Sequence, residues 1–266
     1  MAFLDRIHRK RPGAEKPGRN KPYRPRPGDV YLVSYPRSGS TWVRSAVAEA
    51  MFGGSGESLE ELDRYCPDVH ARTPASRVRP AEVHLVKSHW PCSPREGAAD
   101  YQRVVYLLRD PRDVVLSHFR YLTGLGQYAG DFDEFLTDWL CGRVYPCSWA
   151  EHVISWLGPA GLQRERSMLT LRYEDLSADA TRELARLLDF IGIRHTAERL
   201  NEIVTLCSAD RMRGKERRGM RPSLQVENLE FIGPAQAGRW RQELTNDQVT
   251  MIQDWAGKAM RMTGYE

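Results

Sequence analysis

Three short segments hold the side chains best suited to chemistry. Tyr35-Pro36-Arg37-Ser38-Gly39-Ser40-Thr41-Trp42 gathers three aliphatic hydroxyls, a cation and a glycine. Lys87-Ser88-His89-Trp90-Pro91 sets a histidine two residues after a lysine, and Arg109-Asp110-Pro111-Arg112-Asp113 is followed by Ser117, eight residues after Arg109. The first segment suits an anion. Backbone N–H groups at a helix start point outward unpaired and carry partial positive charge. Gly39 permits close approach, Ser38, Ser40 and Thr41 add donors, and Arg37 adds a permanent cation. This is not the nucleotide-triphosphatase loop G-x-x-x-x-G-K-[ST], whose first Gly and Lys are missing, and as a bare pattern it reads equally well as a plain turn. His89 has the residue type of a general base, since an unperturbed imidazole titrates near neutrality, although a lone histidine is more often structural. Arg109 and Ser117 could grip one phosphate. The alternative is a salt bridge from Arg109 to Asp110 or Asp113.

The elements around these segments explain how they could meet. Apolar runs predict strands at Val30–Val33, Val83–Val86, Arg103–Leu108 and Met168–Leu171. Helical patterns follow at Thr41–Phe52, after Pro111 with Val114, Val115, Phe119 and Leu122 on one face, and at Ala180–Ile191. Strands alternating with helices predict one α/β domain with a central parallel sheet flanked by helices. Ligands bind such sheets at the carboxyl ends of the strands, where all three segments fall. Gly53–Pro80, Thr123–Asp131 and Ala209–Ala237 read as long loops, the expected walls of an acceptor pocket. Trp90, Tyr121, Tyr128 and Tyr145 suggest an aromatic lining, or ordinary packing.

The bulk properties narrow the class. The 266 residues suit a single domain over 29–266 behind a basic, proline-rich and flexible tail, residues 1–28. The net charge of +4 divides into +7 over residues 1–27 and −3 over the remainder, so the folded part offers no broad nucleic-acid face. No apolar run reaches the roughly 18 residues of a membrane span, and Met1–Arg11 lacks an apolar leader, which predicts a cytoplasmic protein. Cys66, Cys92, Cys141, Cys147 and Cys207 form no C-x-x-C pair and are expected to stay reduced. No ligand cluster suggests a metal. Among the histidines, His84 reads as packed, while His8, His70, His152 and His195 have no chemical company in the sequence.

Taken in order, the three segments resemble those of the PAPS-dependent sulfotransferase family, where PAPS is 3′-phosphoadenosine 5′-phosphosulfate. The first loop is similar to the family's Tyr-Pro-Lys-Ser-Gly-Thr-Thr-Trp, which implies that residues 37–41 bind the 5′-phosphosulfate and that Trp42 flanks the adenine. Arg37 replaces the family Lys, which keeps the charge but not the capacity to release a proton. Lys87–Pro91 resembles Lys-Thr-His-Leu-Pro and implies that His89 deprotonates the acceptor while Lys87 contacts the transferring group. Arg109 and Ser117 match the family's 3′-phosphate pair in identity and spacing. Leu171–Leu176 resembles the Tyr-Glu-Asp stretch, giving Tyr173 an adenine contact or, alternatively, a core position. Ser208 stands at the family's Thr-Ser position, with an implied nucleotide contact. Gly238, Arg239 and Trp240 end the family's Arg-Lys-Gly-x-x-Gly-x-Trp pattern, yet Gly233, Pro234 and Ala235 stand where Arg-Lys-Gly belongs. Either 3′-phosphate binding is weaker, or basic residues among Arg213, Lys215, Arg217 and Arg218 reach over.

The resemblance covers Asp29 to Tyr265. It implies a P-loop, nucleotide-kinase-like α/β fold. It also implies sulfuryl transfer from PAPS to a hydroxyl or amine of a small molecule, with 3′,5′-ADP released and no metal used. A nucleotide-dependent small-molecule kinase is the rival enzyme, opposed by the absent Gly-Lys-Ser/Thr. A non-catalytic nucleotide-binding protein is opposed by the intact Lys87/His89 pair. The acceptor and the oligomeric state are open, the family's dimer motif being poorly matched around Arg241–Thr250.

Overall fold

The computed structural model describes residues 23, 26–71, 78–95, 97–162, 166–219, 232–233 and 236–265. Most of the basic tail, residues 1–22, 24 and 25, lies outside them, as do Pro234 and Ala235 and much of the stretch after Arg218. The part of the tail that is described is anchored. Tyr23 is buried, and its hydroxyl donates to Asp29 over 2.9 Å.

The strands β1 (Val30–Ser34), β2 (Leu85–Ser88), β3 (Arg103–Leu108) and β4 (Ser167–Arg172) pair in parallel in the order β2-β1-β3-β4. β1 is buried along its whole length, as a central strand covered on both faces must be. Successive side chains leave a strand on opposite faces, and this divides the core in two. Tyr31, Val33, Val104, Tyr106 and Leu108 point into one cluster; Val30, Leu32, Val105 and Leu107 point into the other.

Helices cover both faces. In chain order they are α1 (Ser40–Phe52), α2 (Pro111–Gly124), α3 (Phe132–Leu140), α4 (Trp149–Leu157), α5 (Pro159–Leu162), α6 (Tyr173–Ala178), α7 (Ala180–Ile191), α8 (Ala197–Leu206), α9 (Ala209–Arg218), α10 (Trp240–Glu243) and α11 (Asn246–Thr263). The first cluster takes its apolar residues from α2, α3, α4 and α11, with Trp139, Trp149 and Trp156 fully buried. The second takes them from α1, α7 and α8, through residues such as Val43, Val47, Leu187 and Ile203. No helix among the described residues is long and apolar enough to cross a membrane.

Two expectations about elements change. β2 runs from Leu85 to Ser88, two residues later than the apolar run suggested, because the edge of the sheet gains a further segment. Lys87 N donates to Pro67 O over 2.7 Å, and Val69 N to Lys87 O over 3.0 Å, so Lys87 lies within the strand. Ala209–Ala237 is not wholly loop, since α9 occupies its first ten residues. That helix is almost all polar and buries only Met212, so it carries no apolar stripe for sequence reading to find.

Candidate active site

The carboxyl ends of β1, β2 and β3 open onto one cavity of about 1400 Å³. Single-ligand pockets commonly occupy roughly 300–1,000 Å³, so this space accommodates two reactants. Its lining includes Arg37, Gly39, Ser40, Thr41 and Trp42 from the first segment, Lys87 and His89 from the second, Arg109 and Ser117 from the third, and Tyr173 and Ser208. Ser38 completes the first turn with its side chain buried and its hydroxyl unpartnered among the described residues.

The first turn is tightly wound. Arg37 has φ 70° and Gly39 φ 101°, both left-handed. A non-glycine residue held there costs on the order of 1–3 kcal/mol, which the surrounding bonds must hold in place. One of them is Arg109 Nη1 donating to the Arg37 carbonyl over 3.0 Å. The Arg37 side chain crosses to α2, where Nε donates to Ser117 Oγ over 3.2 Å and the guanidinium lies 4.7 Å from the Tyr121 ring centre. Burial, aided by Arg109, draws the Arg37 pKa down to about 10, leaving it charged at neutral pH. The first and third segments, the candidate anion-binding ones, are therefore neighbours bridged by Arg37 itself.

Helix capping points the same way. Six of the eight described helices of nine or more residues have a side-chain N-cap bond: Asp110, Asp131, Ser148, Asp179, Thr196 and Thr245 serve α2, α3, α4, α7, α8 and α11. α1 and α9 have none, and both begin at the cavity, at Gly39 and Ser208. Uncapped first turns facing a pocket are ready for anionic or polar ligands.

The salt-bridge alternative for Arg109 is absent among the described residues. Asp110 is taken by Arg112, with Nη2 at 2.8 Å from Oδ2, and Asp113 by backbone amides of Gly238 and Trp240. Arg109 instead lies 4.1 Å from the Tyr173 ring centre, and its Nε is buried without a partner among the described residues. Tyr173 lines the cavity rather than the core, close enough to Gly39 that a Cβ there would sit 2.8 Å from its ring.

At the second segment, His89 Nδ1 is 2.6 Å from the carbonyl oxygen of Ser34. A carbonyl only accepts, so Nδ1 carries the hydrogen and Nε2 keeps its lone pair. Burial, then the charge of Lys87 and the proximity of His70, pushes the His89 pKa well below its ordinary value, so the ring is neutral at pH 7. Lys87 pairs with buried Asp68 at 2.9 Å, and Asp68 itself lines the cavity.

Sequence reading missed Asp68 and misjudged three histidines, one of them His195, whose Nε2 lies 3.0 Å from Asp189 Oδ1. His70 was expected to stand alone; its Nε2 accepts from His89 N over 2.8 Å, and its ring packs on Trp90 and Tyr145. His152 likewise has company, being fully buried with Nδ1 2.9 Å from Tyr106 Oη. Neither carried a local motif, since their partners lie 19 and 46 residues away. Of the four suggested aromatics, Tyr121 and Tyr145 line the cavity, while Trp90 and Tyr128 pack against the first core cluster. No group of three or more His, Cys, Asp or Glu among the described residues could hold a metal.

Known proteins share this fold. The mouse protein named sulfotransferase 1B1 is 27% identical over 200 residues, covering 70% of this chain and 66% of its own length. A crystal structure of retinol dehydratase with retinol and PAP matches with a TM-score of 0.72 at 22% identity, covering 89% of this chain and 82% of that one. A mouse sulfotransferase, SULT7A1, complexed with PAP matches with a TM-score of 0.69 at 20% identity, covering 90% and 86%. The sulfotransferase domain model matches residues 27–264, nearly the whole sequence. With the three segments gathered on one cavity of a four-stranded parallel sheet, the chain belongs to the sulfotransferase family.

Proposed function

We propose that this protein moves the sulfuryl group of PAPS to a hydroxyl or amine of a small-molecule acceptor in the cytoplasm, with His89 as general base. One observation carries the reading: His89 and both anion-binding segments line the same cavity. The family relation and the PAP named with the two structural relatives support the donor, PAP being the desulfated product 3′,5′-ADP. The buried, unpartnered Ser38 Oγ and Arg109 Nε are donors that such an anion would satisfy.

In this mechanism Ser38, Gly39, Ser40 and Thr41 hold the 5′-phosphosulfate with the N–H groups that open α1, between the rings of Trp42 and Tyr173 that frame the adenine. Arg109 and Ser117 take the 3′-phosphate, and Ser208 contacts the nucleotide. His89 Nε2 removes the acceptor proton as the acceptor oxygen or nitrogen attacks sulfur. The bond from sulfur to the 5′-phosphate oxygen breaks, and 3′,5′-ADP leaves with the electron pair. Lys87 and Arg37 stabilise charge developing on the sulfuryl and phosphate oxygens, as preorganised cations do in related phosphoryl transfers. No step requires a metal.

The test is transfer of labelled sulfate from PAPS to a panel of phenols, alcohols and amines, with ATP plus magnesium as the rival donor. His89→Ala should lower kcat by about 10²–10⁴-fold while 3′,5′-ADP binding stays at the wild-type value. A variant that turns over at the wild-type rate removes His89 from the chemistry. Phosphate transfer from ATP, without sulfate transfer, would replace the whole reading.

A further inference from the structure

The Arg-Lys-Gly absent at residues 233–235 leaves the donor's 3′-phosphate short of positive charge on the reading just given. We propose that Arg239 and Arg120 complete that site, with Glu243 holding both guanidinium groups until the phosphate arrives.

The argument begins with Asp113. Its two carboxylate oxygens accept from Gly238 N over 2.6 Å and Trp240 N over 3.0 Å, so residue 239 is clipped to the first turn of α2 from both sides. Along α2, Asp113, Ser117 and Arg120 recur at i, i+4 and i+7, one face of a helix. The clip therefore brings Arg239 to the face that carries Ser117. Glu243, one helical turn beyond Arg239, receives Arg239 Nη2 over 2.7 Å and also pairs with Arg120 Nη2. Two cations share one carboxylate and leave an excess positive charge beside Ser117. Arg120, Arg239, Arg109 and Ser117 all line the same cavity.

Two of the four basic residues offered by the sequence as a replacement are engaged elsewhere. Lys215 bonds to Glu49 and Ser55, and Arg218 Nε donates to the Glu57 carbonyl over 2.7 Å, whereas Arg213, paired among the described residues only with exposed Asp210, also lines the cavity and is the rival to be tested. The Glu243 pairs are loosely held: the Arg120 side chain is 52% exposed and that of Arg239 31%. Ion pairs this exposed are weak, whereas a forked guanidinium binds a phosphate dianion strongly and with defined geometry. Exchange from Glu243 to the 3′-phosphate is therefore favourable, and it applies to a nucleotide phosphorylated at both positions.

The experiment compares 3′,5′-ADP with 5′-AMP by calorimetric titration against the full chain and the variants Arg120→Ala, Arg239→Ala, the double variant, Arg213→Ala and Glu243→Gln. Each of the first two should weaken 3′,5′-ADP by about tenfold, and the double by about a hundredfold, as loss of one and two charge-assisted bonds implies. Affinity for 5′-AMP should stay within about twofold of wild type, which a merely structural defect would not allow. Glu243→Gln, by releasing the arginines, should hold or tighten 3′,5′-ADP. If the wild type prefers 3′,5′-ADP and the arginine variants keep that preference, or Arg213→Ala alone removes it, this assignment is overturned while the donor reading stands. A wild type that treats both nucleotides alike overturns the donor reading and the assignment together.

Discussion

Replacing Gly39 by alanine separates two things the glycine does. Its φ of 101° places the backbone in the left-handed region, and an added Cβ would lie 2.8 Å from Tyr173 Cδ2 and 3.1 Å from Cε2. The conformational cost for an alanine there is about 1–2 kcal/mol. For a domain of this size that corresponds to a fall in Tm of roughly 2–8 °C. The steric part acts on the site. Ordinary carbon contacts begin near 3.4 Å, so the Tyr173 ring must retreat by roughly 0.6 Å, toward or past the Arg109 guanidinium that lies over it at 4.1 Å. Displacing Arg109 enough to forfeit one charge-assisted bond weakens 3′,5′-ADP by about tenfold or more. Gly53→Ala is the control, since Gly53 has φ 68° with nothing among the described residues within 4 Å of an added Cβ. It should lose a similar amount of thermal stability and no nucleotide affinity. Thermal denaturation and nucleotide titration of both variants check this. Equal losses of affinity, or an unchanged Gly39→Ala, would refute the reasoning that Tyr173 transmits the clash to the phosphate site.

Two further outcomes follow from the buried charges. His118 and His152 are held near pKa 3, chiefly by burial, against about 6.5 in the unfolded chain. Folding therefore favours their neutral forms, and the stability they leave intact above pH 6.5 is lost as pH falls toward 3. Between pH 6.5 and 5 the pair should cost about 3 kcal/mol, seen as a Tm falling by roughly 6–12 °C and reduced in His118→Gln or His152→Gln. A flat Tm over that interval contradicts their burial as neutral rings. At the Lys87–Asp68 pair, Lys87→Met leaves a buried carboxylate facing the anionic donor and should raise the KM for PAPS by more than tenfold. Adding Asp68→Asn should recover most of that loss, and a double variant no better than the single shows that the charge of Asp68 is not felt at the donor.

Much of the site was legible because its parts are local. Residues 35–42, 87–91 and 109–117 each read as a strand end followed by a turn or helix, and the anion chemistry of Ser38, Gly39 and Arg109 could be argued from residue type and spacing. β3 and α7 lie where their apolar periodicity put them, at Arg103–Leu108 and Ala180–Ile191. α9 was illegible for a physical reason: a helix that buries one residue has no stripe.

The sequence by itself determined the fold class, the order of the candidate phosphate-binding segments and the gap at residues 233–235, because backbone periodicity and turn chemistry act over a few residues. Only the tertiary structure decided which groups meet across long separations. It pairs Asp68 with Lys87, sets His70 under the His89 amide, fixes the His89 tautomer through the Ser34 carbonyl and clips Arg239 to α2 through Asp113. Those contacts span 19 to 127 residues, and their formation depends on how packed layers bring distant elements together, which no local pattern encodes.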